Sequence, residues 1–174
     1  MRYMRKSKRR KERIKKIGIL LIVALVAMVA WKASEIYYGK INLSKLENME
    51  RPEWIDDQII DVDGASRSGE KLYSVKVIHY VGNPGSTAQQ NHDFYAGNQS
   101  NVSSHFVVGL DGEVIQCIPL DEMSAASNWR NNDTISIEVC HPDKSGKFNK
   151  KTYKSLVKLT AWLEMACGLN EDHV

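Results

Sequence analysis

Little in this sequence points to a disulfide framework or a ready-made metal motif. It has three cysteines, Cys117, Cys140 and Cys167, an odd number at wide spacing, and no C-x-x-C or C-x-x-H pair of the kind a zinc ribbon needs. They read as small buried hydrophobes, with a Cys117 to Cys140 bridge left open should their two strands be neighbours. The H-E-x-x-H spacing of a metalloprotease helix is also missing. The five histidines, His79, His92, His105, His141 and His173, can therefore meet a metal only where the fold gathers them. No internal repeat is present, and no small-x-small cleavage site follows the single long apolar run.

Charge is unevenly spread along the chain. Residues 1–16 carry ten Lys or Arg and one Glu, a net +9, and the remainder of the chain carries −6. The overall +3 therefore describes a tail, while the part long enough to fold is acidic. A basic tail suits nucleic acid or anionic lipid. The adjoining segment decides for lipid: residues 17–31 (IGILLIVALVAMVAW) are uncharged and lie between Lys15-Lys16 and Lys32. Fifteen residues are short for a span, but snorkelling lysines and the neighbouring Ala33, Ile36, Tyr37 and Tyr38 extend it to an aromatic belt. The expectation is a single uncleaved transmembrane helix over 17–38, with residues 1–16 in the cytoplasm and everything after the span outside. A cleaved signal peptide competes with this reading, and a nucleic-acid partner is not expected.

Residues 39–71 are mixed and polar and read as a stalk and lead-in, with Trp54, Ile55, Ile59, Ile60 and Val62 either packing on the domain or lining a groove. The domain is expected over 72–174. Residues 75–81 (VKVIHYV) form a strand that brings His79 to its end before Gly82, Pro84 and Gly85 break it. Residues 87–95 suit a short helix with Thr87 as N-cap and Gln90 completing a capping box. Strands at 103–108 and 113–118 flank Asp111-Gly112, a hairpin signal. The strand at 134–140 (TISIEVC) puts Ile135, Ile137 and Val139 on one face and Ser136, Glu138 and Cys140 on the other. A carboxylate between apolar neighbours marks either a site or an exposed sheet face. Tyr153, Leu156, Val157, Thr160, Leu163 and Cys167 recur at helical spacing over 150–167, before Gly168. The order predicts an α/β fold, a central mixed β-sheet flanked by helices.

Three segments, VIHYVGNPGSTAQQN, VSSHFVVGLDGEVIQCIPLDE and SNWRNNDTISIEVCHPD, resemble the zinc-dependent N-acetylmuramoyl-L-alanine amidases, which share a fold with the peptidoglycan recognition proteins. The likeness runs from about residue 71 to the C-terminus and is strongest to clostridial-type enzymes. It implies a monomeric hydrolase with peptidoglycan as partner, Zn2+ as cofactor, and the amide between N-acetylmuramic acid and L-alanine as the bond cut. By the same resemblance His79 matches a zinc ligand and Glu138 the carboxylate that handles the water's proton. His105 and Phe106 match a pair lying under the groove, and Ser104 stands where some members have a tyrosine. Trp129, Arg130 and Asn132 are candidates for glycan or peptide contacts, or ordinary loop residues. Members carry two further zinc ligands after the last helix. His173 falls slightly early for the second, so the chain reads as a fragment or as an inactive remnant, which would make it a membrane-tethered peptidoglycan-binding module without catalysis.

Overall fold

The computed structural model describes residues 2–72, 77–79, 84–97 and 100–169, with backbone alone described over 2–10, 34–44 and 77–79. It contains two compact units, Met1–Tyr38 and Gly39–Val174. The first is built on helix α1 (Arg2–Glu47), in which Lys11–Ala33 is long and apolar enough to cross a membrane or to act as a signal sequence. Its described large apolar side chains from Ile14 to Trp31 are exposed.

The second unit is a mixed five-stranded sheet in the order β1 (Ile55–Asp57), β4 (Val114–Gln116), β3 (Phe106–Val108), β5 (Thr134–Val139), β2 (Val77–His79). Among the described strand pairs the β3–β4 hairpin is antiparallel, and β1 with β4, β3 with β5 and β5 with β2 are parallel. The expected mixed sheet and its flanking helices are present. The tight turn of the hairpin needs a glycine at 112 twice over. Its φ is +85°, and a Cβ there would meet Ser155 Oγ at 3.0 Å and the Lys151 carbonyl oxygen at 3.2 Å.

Each face of the sheet has its own core. Ile135, Ile137 and Val139 face α3 (Lys150–Cys167) and pack with Phe106, Leu159 and Leu163, while Val107, Ile115 and Cys140 pack with Ala88 and Tyr95 of α2 (Ala88–Ala96). The alternation read from residues 134–140 is therefore real. Both faces are covered, so every residue of β5 is buried, and the reading of Glu138 as part of an exposed sheet face is excluded.

Some local expectations were displaced. The described strands are shorter than their apolar runs, and residues 73–76 and 80–83 of the His79 segment lie outside the described residues. On α3 the buried residues are Thr152, Leu159, Leu163 and Cys167, whereas Tyr153 and Val157, read as part of the buried stripe, are exposed. The apolar positions of this helix extend round more of its circumference than the sheet can cover. In residues 39–71, Leu46, Ile55 and Ile60 are core residues and β1 closes the sheet edge, because parallel pairing with β4 gives Ile55 a buried place that its isolated sequence does not announce. All three cysteines are buried and free, so the Cys117 to Cys140 bridge is not formed.

Helix α2 starts with the expected capping box: the Gln90 N–H donates to Thr87 Oγ1 (3.1 Å), and the Thr87 N–H donates to Gln90 Oε1 (2.9 Å). Thr87→Ala is expected to cost about 1 kcal/mol in chemical denaturation, since it orphans a helix N–H. An unchanged midpoint would show that tertiary contacts alone hold the helix.

Candidate active site

Asn91 is a buried polar residue on a nine-residue helix, and its amide fixes the helix to the sheet. Nδ2 donates to Ser86 Oγ (2.8 Å), to the Thr87 carbonyl (2.9 Å) and toward Cys140 Sγ (3.5 Å). Four residues along a helix rise about 6 Å, and two along a strand about 6.6 Å. With Asn91 set against Cys140, Tyr95 accordingly falls against Glu138, the next residue back on the same face of β5. The Tyr95 hydroxyl donates to the Glu138 carboxylate.

Glu138 is 6% exposed and closes a pocket of about 290 Å³ whose walls are Asn91, Phe94, Tyr95, Val102, Ser103, Ala125 and Ala126. Burial pushes its pKa up to about 7, and the Tyr95 hydrogen bond opposes that shift more weakly. Tyr95 is itself held protonated, by burial first and by the Glu138 charge second. A carboxyl titrating near neutrality at the wall of an open pocket can take and return a proton at physiological pH.

Ser136, two residues before Glu138 on the same face of β5, belongs to a polar knot around His105, which is fully buried. The Ser136 N–H donates to Nδ1 (3.0 Å), so the proton sits on Nε2, which donates to the Glu122 carbonyl (2.9 Å). Burial drops the His105 pKa to about 4. Ser136 Oγ accepts from the His105 N–H (3.1 Å) and the Ser104 hydroxyl (3.1 Å), and lies 2.7 Å from Ser124 Oγ. Both ring nitrogens of His105 are occupied, so it is a structural histidine and has no lone pair for a metal.

Parallel pairing sets the backbone of His79 opposite Ser136, one strand over and two residues before Glu138 in register. Its side chain, and all of His173, lie outside the described residues. Among the described residues no three His, Cys, Asp or Glu are grouped to hold a metal ion. Cys140 is held as a thiol by burial, and His92 spends its nitrogens on the Gln58 carbonyl (2.9 Å) and Asp93 (3.0 Å). The described residues alone therefore do not fit a complete zinc cage.

Trp129, Arg130 and Asn132 lie on a 3-10 turn (Asn128–Asp133). Trp129 is 82% exposed with the Arg130 guanidinium 5.4 Å from its ring, and Arg130 is tied to Asp133 (2.6 Å). The structure does not bring these three into the pocket wall, which this part of the chain forms with Ala125 and Ala126. Sequence reasoning passed over Tyr95 and Asn91. Their signal is the four-residue spacing of two polar groups on a short capped helix that comes directly after the His79 strand.

Residues 71–174 match the sequence model of the family described as N-acetylmuramoyl-L-alanine amidase. Among solved structures the chain is similar to PlyL, at 20% identity and a TM-score of 0.60 over 72% of this chain and 79% of that one. It is also similar to the catalytic domain of XlyA, at 24% identity and a TM-score of 0.60 over 69% and 81%. The N-acetylmuramoyl-L-alanine amidase LysC from Clostridium intestinale URNW is similar at 14% and 0.52 over 68% and 79%. At such identities the structural likeness carries the fold. No curated protein matches the chain. The family match covers more than half of the chain and takes in β2, the pocket and Glu138, and with it the chain belongs to the N-acetylmuramoyl-L-alanine amidases, hydrolases of the peptidoglycan amide.

Proposed function

We propose that this chain hydrolyses the bond between the lactyl group of N-acetylmuramic acid and L-alanine of the stem peptide, with Glu138 as the group that moves the proton. The observation carrying this is a buried carboxyl with a pKa near 7 in the wall of an open pocket. Glu138 takes a proton from the attacking water and returns it to the departing L-alanine amine, so that one carboxyl serves both halves of the hydrolysis. Asn91 holds α2 in place, and Tyr95 orients the carboxylate. We assign His79 as a zinc ligand from its register beside Ser136 and from the family. A zinc ion held there would supply polarisation of the amide carbonyl and a more acidic water. Trp129, Arg130 and Asn132 are assigned to more distant glycan or peptide contacts.

The unit is proposed to work outside the cell, anchored through 17–38 with residues 1–16 in the cytoplasm, and with 39–71 leading into a catalytic part at 72–174. Cell-wall sacculi incubated with the purified chain, with and without added zinc, provide the test. Zinc-dependent release of free stem peptides is expected. A second reading is a tethered module that binds peptidoglycan without cutting it. Retention on sacculi with no peptide release and no bound zinc would establish that reading instead.

Tyr95→Phe removes the hydrogen bond that lowers the Glu138 pKa. The acid limb of the rate profile, which falls as Glu138 takes up its proton, should move to higher pH, with KM little changed. An unmoved limb would mean that Tyr95 only fills space.

A further inference from the structure

The outer face of α3 mixes lysine with exposed apolar side chains in a way that the rest of the unit does not. Tyr153, Val157 and Met165 are 59%, 49% and 78% exposed. With Ala161 between them they recur every four residues, which on a helix makes one slowly turning stripe. Isolated surface apolar groups need no explanation; a stripe running along about three turns does. Exposed Lys150 and Lys154 interleave with it, and neither has an ion pair among the described residues. Residues 143–158 together hold six lysines and one acid, a net +5, inside a unit, Gly39–Val174, whose net charge is −6. The remainder of that unit is therefore at −11, and this segment stands out against it as net positive.

We infer that the outer face of α3 docks on the anionic phospholipid headgroups of the bilayer that the same chain is anchored in, with Tyr153, Val157 and Met165 entering the headgroup boundary and Lys150 and Lys154 on the phosphates. A lysine-rich polar side beside exposed apolar groups is the pattern of helices that lie in a membrane interface. An acidic unit would otherwise be repelled by such a surface. Twelve residues separate Ala33, at the end of the apolar span, from Leu46, the first buried side chain of the folded unit. Even fully extended they reach only about 45 Å, so an inserted span keeps the folded unit within reach of the bilayer. The functional consequence comes from the sheet: α3 covers one face, and the pocket with Tyr95 and Glu138 opens on the other. A unit seated on α3 turns its pocket away from the bilayer, toward polymeric substrate.

This inference rests on the membrane-anchor reading, and the two can fail separately. The full chain, carrying Met165→Cys with an environment-sensitive fluorophore, is reconstituted into vesicles of phosphatidylcholine alone or with phosphatidylglycerol. The native cysteines are buried and stay unlabelled. Flotation with neutral vesicles reads the anchor; the fluorophore reads the docking. A blue shift in phosphatidylglycerol vesicles that high salt reverses is expected. Lys150→Glu with Lys154→Glu should lower the docked-to-undocked ratio by more than the roughly 30-fold that losing two lysines implies, at about 1 kcal/mol per lysine on an anionic surface. Lys150→Gln with Lys154→Gln should lower it less. Neither change endangers the helix: residue 150 is in the first turn, where negative charge is favoured, and at exposed residue 154 Glu is about as good a helix former as Lys. A fluorophore that stays in water in both lipids, or a shift that ignores lipid charge, salt and the lysine changes, overturns the proposal. So does a shift that needs a soluble polyphosphodiester rather than lipid, or one that tracks protein concentration as a second copy would.

Discussion

Glu138→Gln should reduce stem-peptide release by roughly 10² to 10⁴-fold, the usual worth of a positioned proton-transfer group, while leaving retention on sacculi unchanged. The amide keeps the shape and the Tyr95 contact and loses only the proton chemistry. Its stability should change in a direction that a structural carboxylate would not show. Glu138 has a folded pKa of about 7 against an ordinary 4.5, so its stabilising contribution is fully present below 4.5 and is lost as pH rises through about 7. The ionised form therefore costs at most about 3 kcal/mol above neutrality, at 1.36 kcal/mol per pKa unit. Glu138→Gln should be more stable than the parent at pH 8 and nearly equal to it at pH 4, as read by denaturant midpoints. A variant that is inactive and also destabilised at pH 8 would place Glu138 in the scaffold instead of the chemistry.

His105→Ala is the counterpart, with the largest expected effect on folding: a loss of about 3–5 kcal/mol. It empties a fully buried site and strands the Ser136 N–H and the Glu122 carbonyl, each without water to replace the ring. The parent chain should also show the pH signature of a histidine buried neutral. The folded pKa is about 4 against 6.5, so the stability is present above 6.5 and lost as pH falls through about 4, by about 3 kcal/mol in total. His105 and Glu138 thus pull in opposite directions on acidification, and His105→Ala should leave a stability profile that improves toward acid. Activity would fall with the folded fraction in this variant, whereas in Glu138→Gln it falls with the fold intact. Comparing rates per folded molecule separates the two roles. If His105→Ala costs less than about 1 kcal/mol, the hydrogen-bonded knot at Ser136 is not what holds β3 to β5.

The elements of the α2–β5 half of the unit were legible from local chemistry. Thr87 and Gln90 announced a capping box that forms atom for atom, Asp111-Gly112 announced its hairpin, and Gly168 caps α3 with a left-handed backbone. The period of two in residues 134–140 correctly separated Ile135, Ile137 and Val139 from Ser136, Glu138 and Cys140. These signals are short in range, and each is decided by side chain and backbone within a few residues. β1 escaped notice because three residues of strand have no periodicity to read, and their partner, β4, lies almost sixty residues away. The outward turn of Tyr153 and Val157 escaped for a similar reason: helical spacing shows which residues share a face, but only the width of the sheet beneath decides how much of that face is covered.

By itself, then, the sequence determined the apolar run and its basic flank, the α/β order, the family, and the identity of Glu138 as the residue to watch. Only the tertiary structure decided what that glutamate is. Packing α2 against β5 buries the carboxyl, brings the Tyr95 hydroxyl to it across forty-odd residues of chain, and lifts its pKa to about 7. It also decided that His105 is not a ligand, because both its nitrogens are already spent inside the knot. A pKa and a free lone pair are properties of what surrounds a side chain, and those surroundings exist only once distant segments have met.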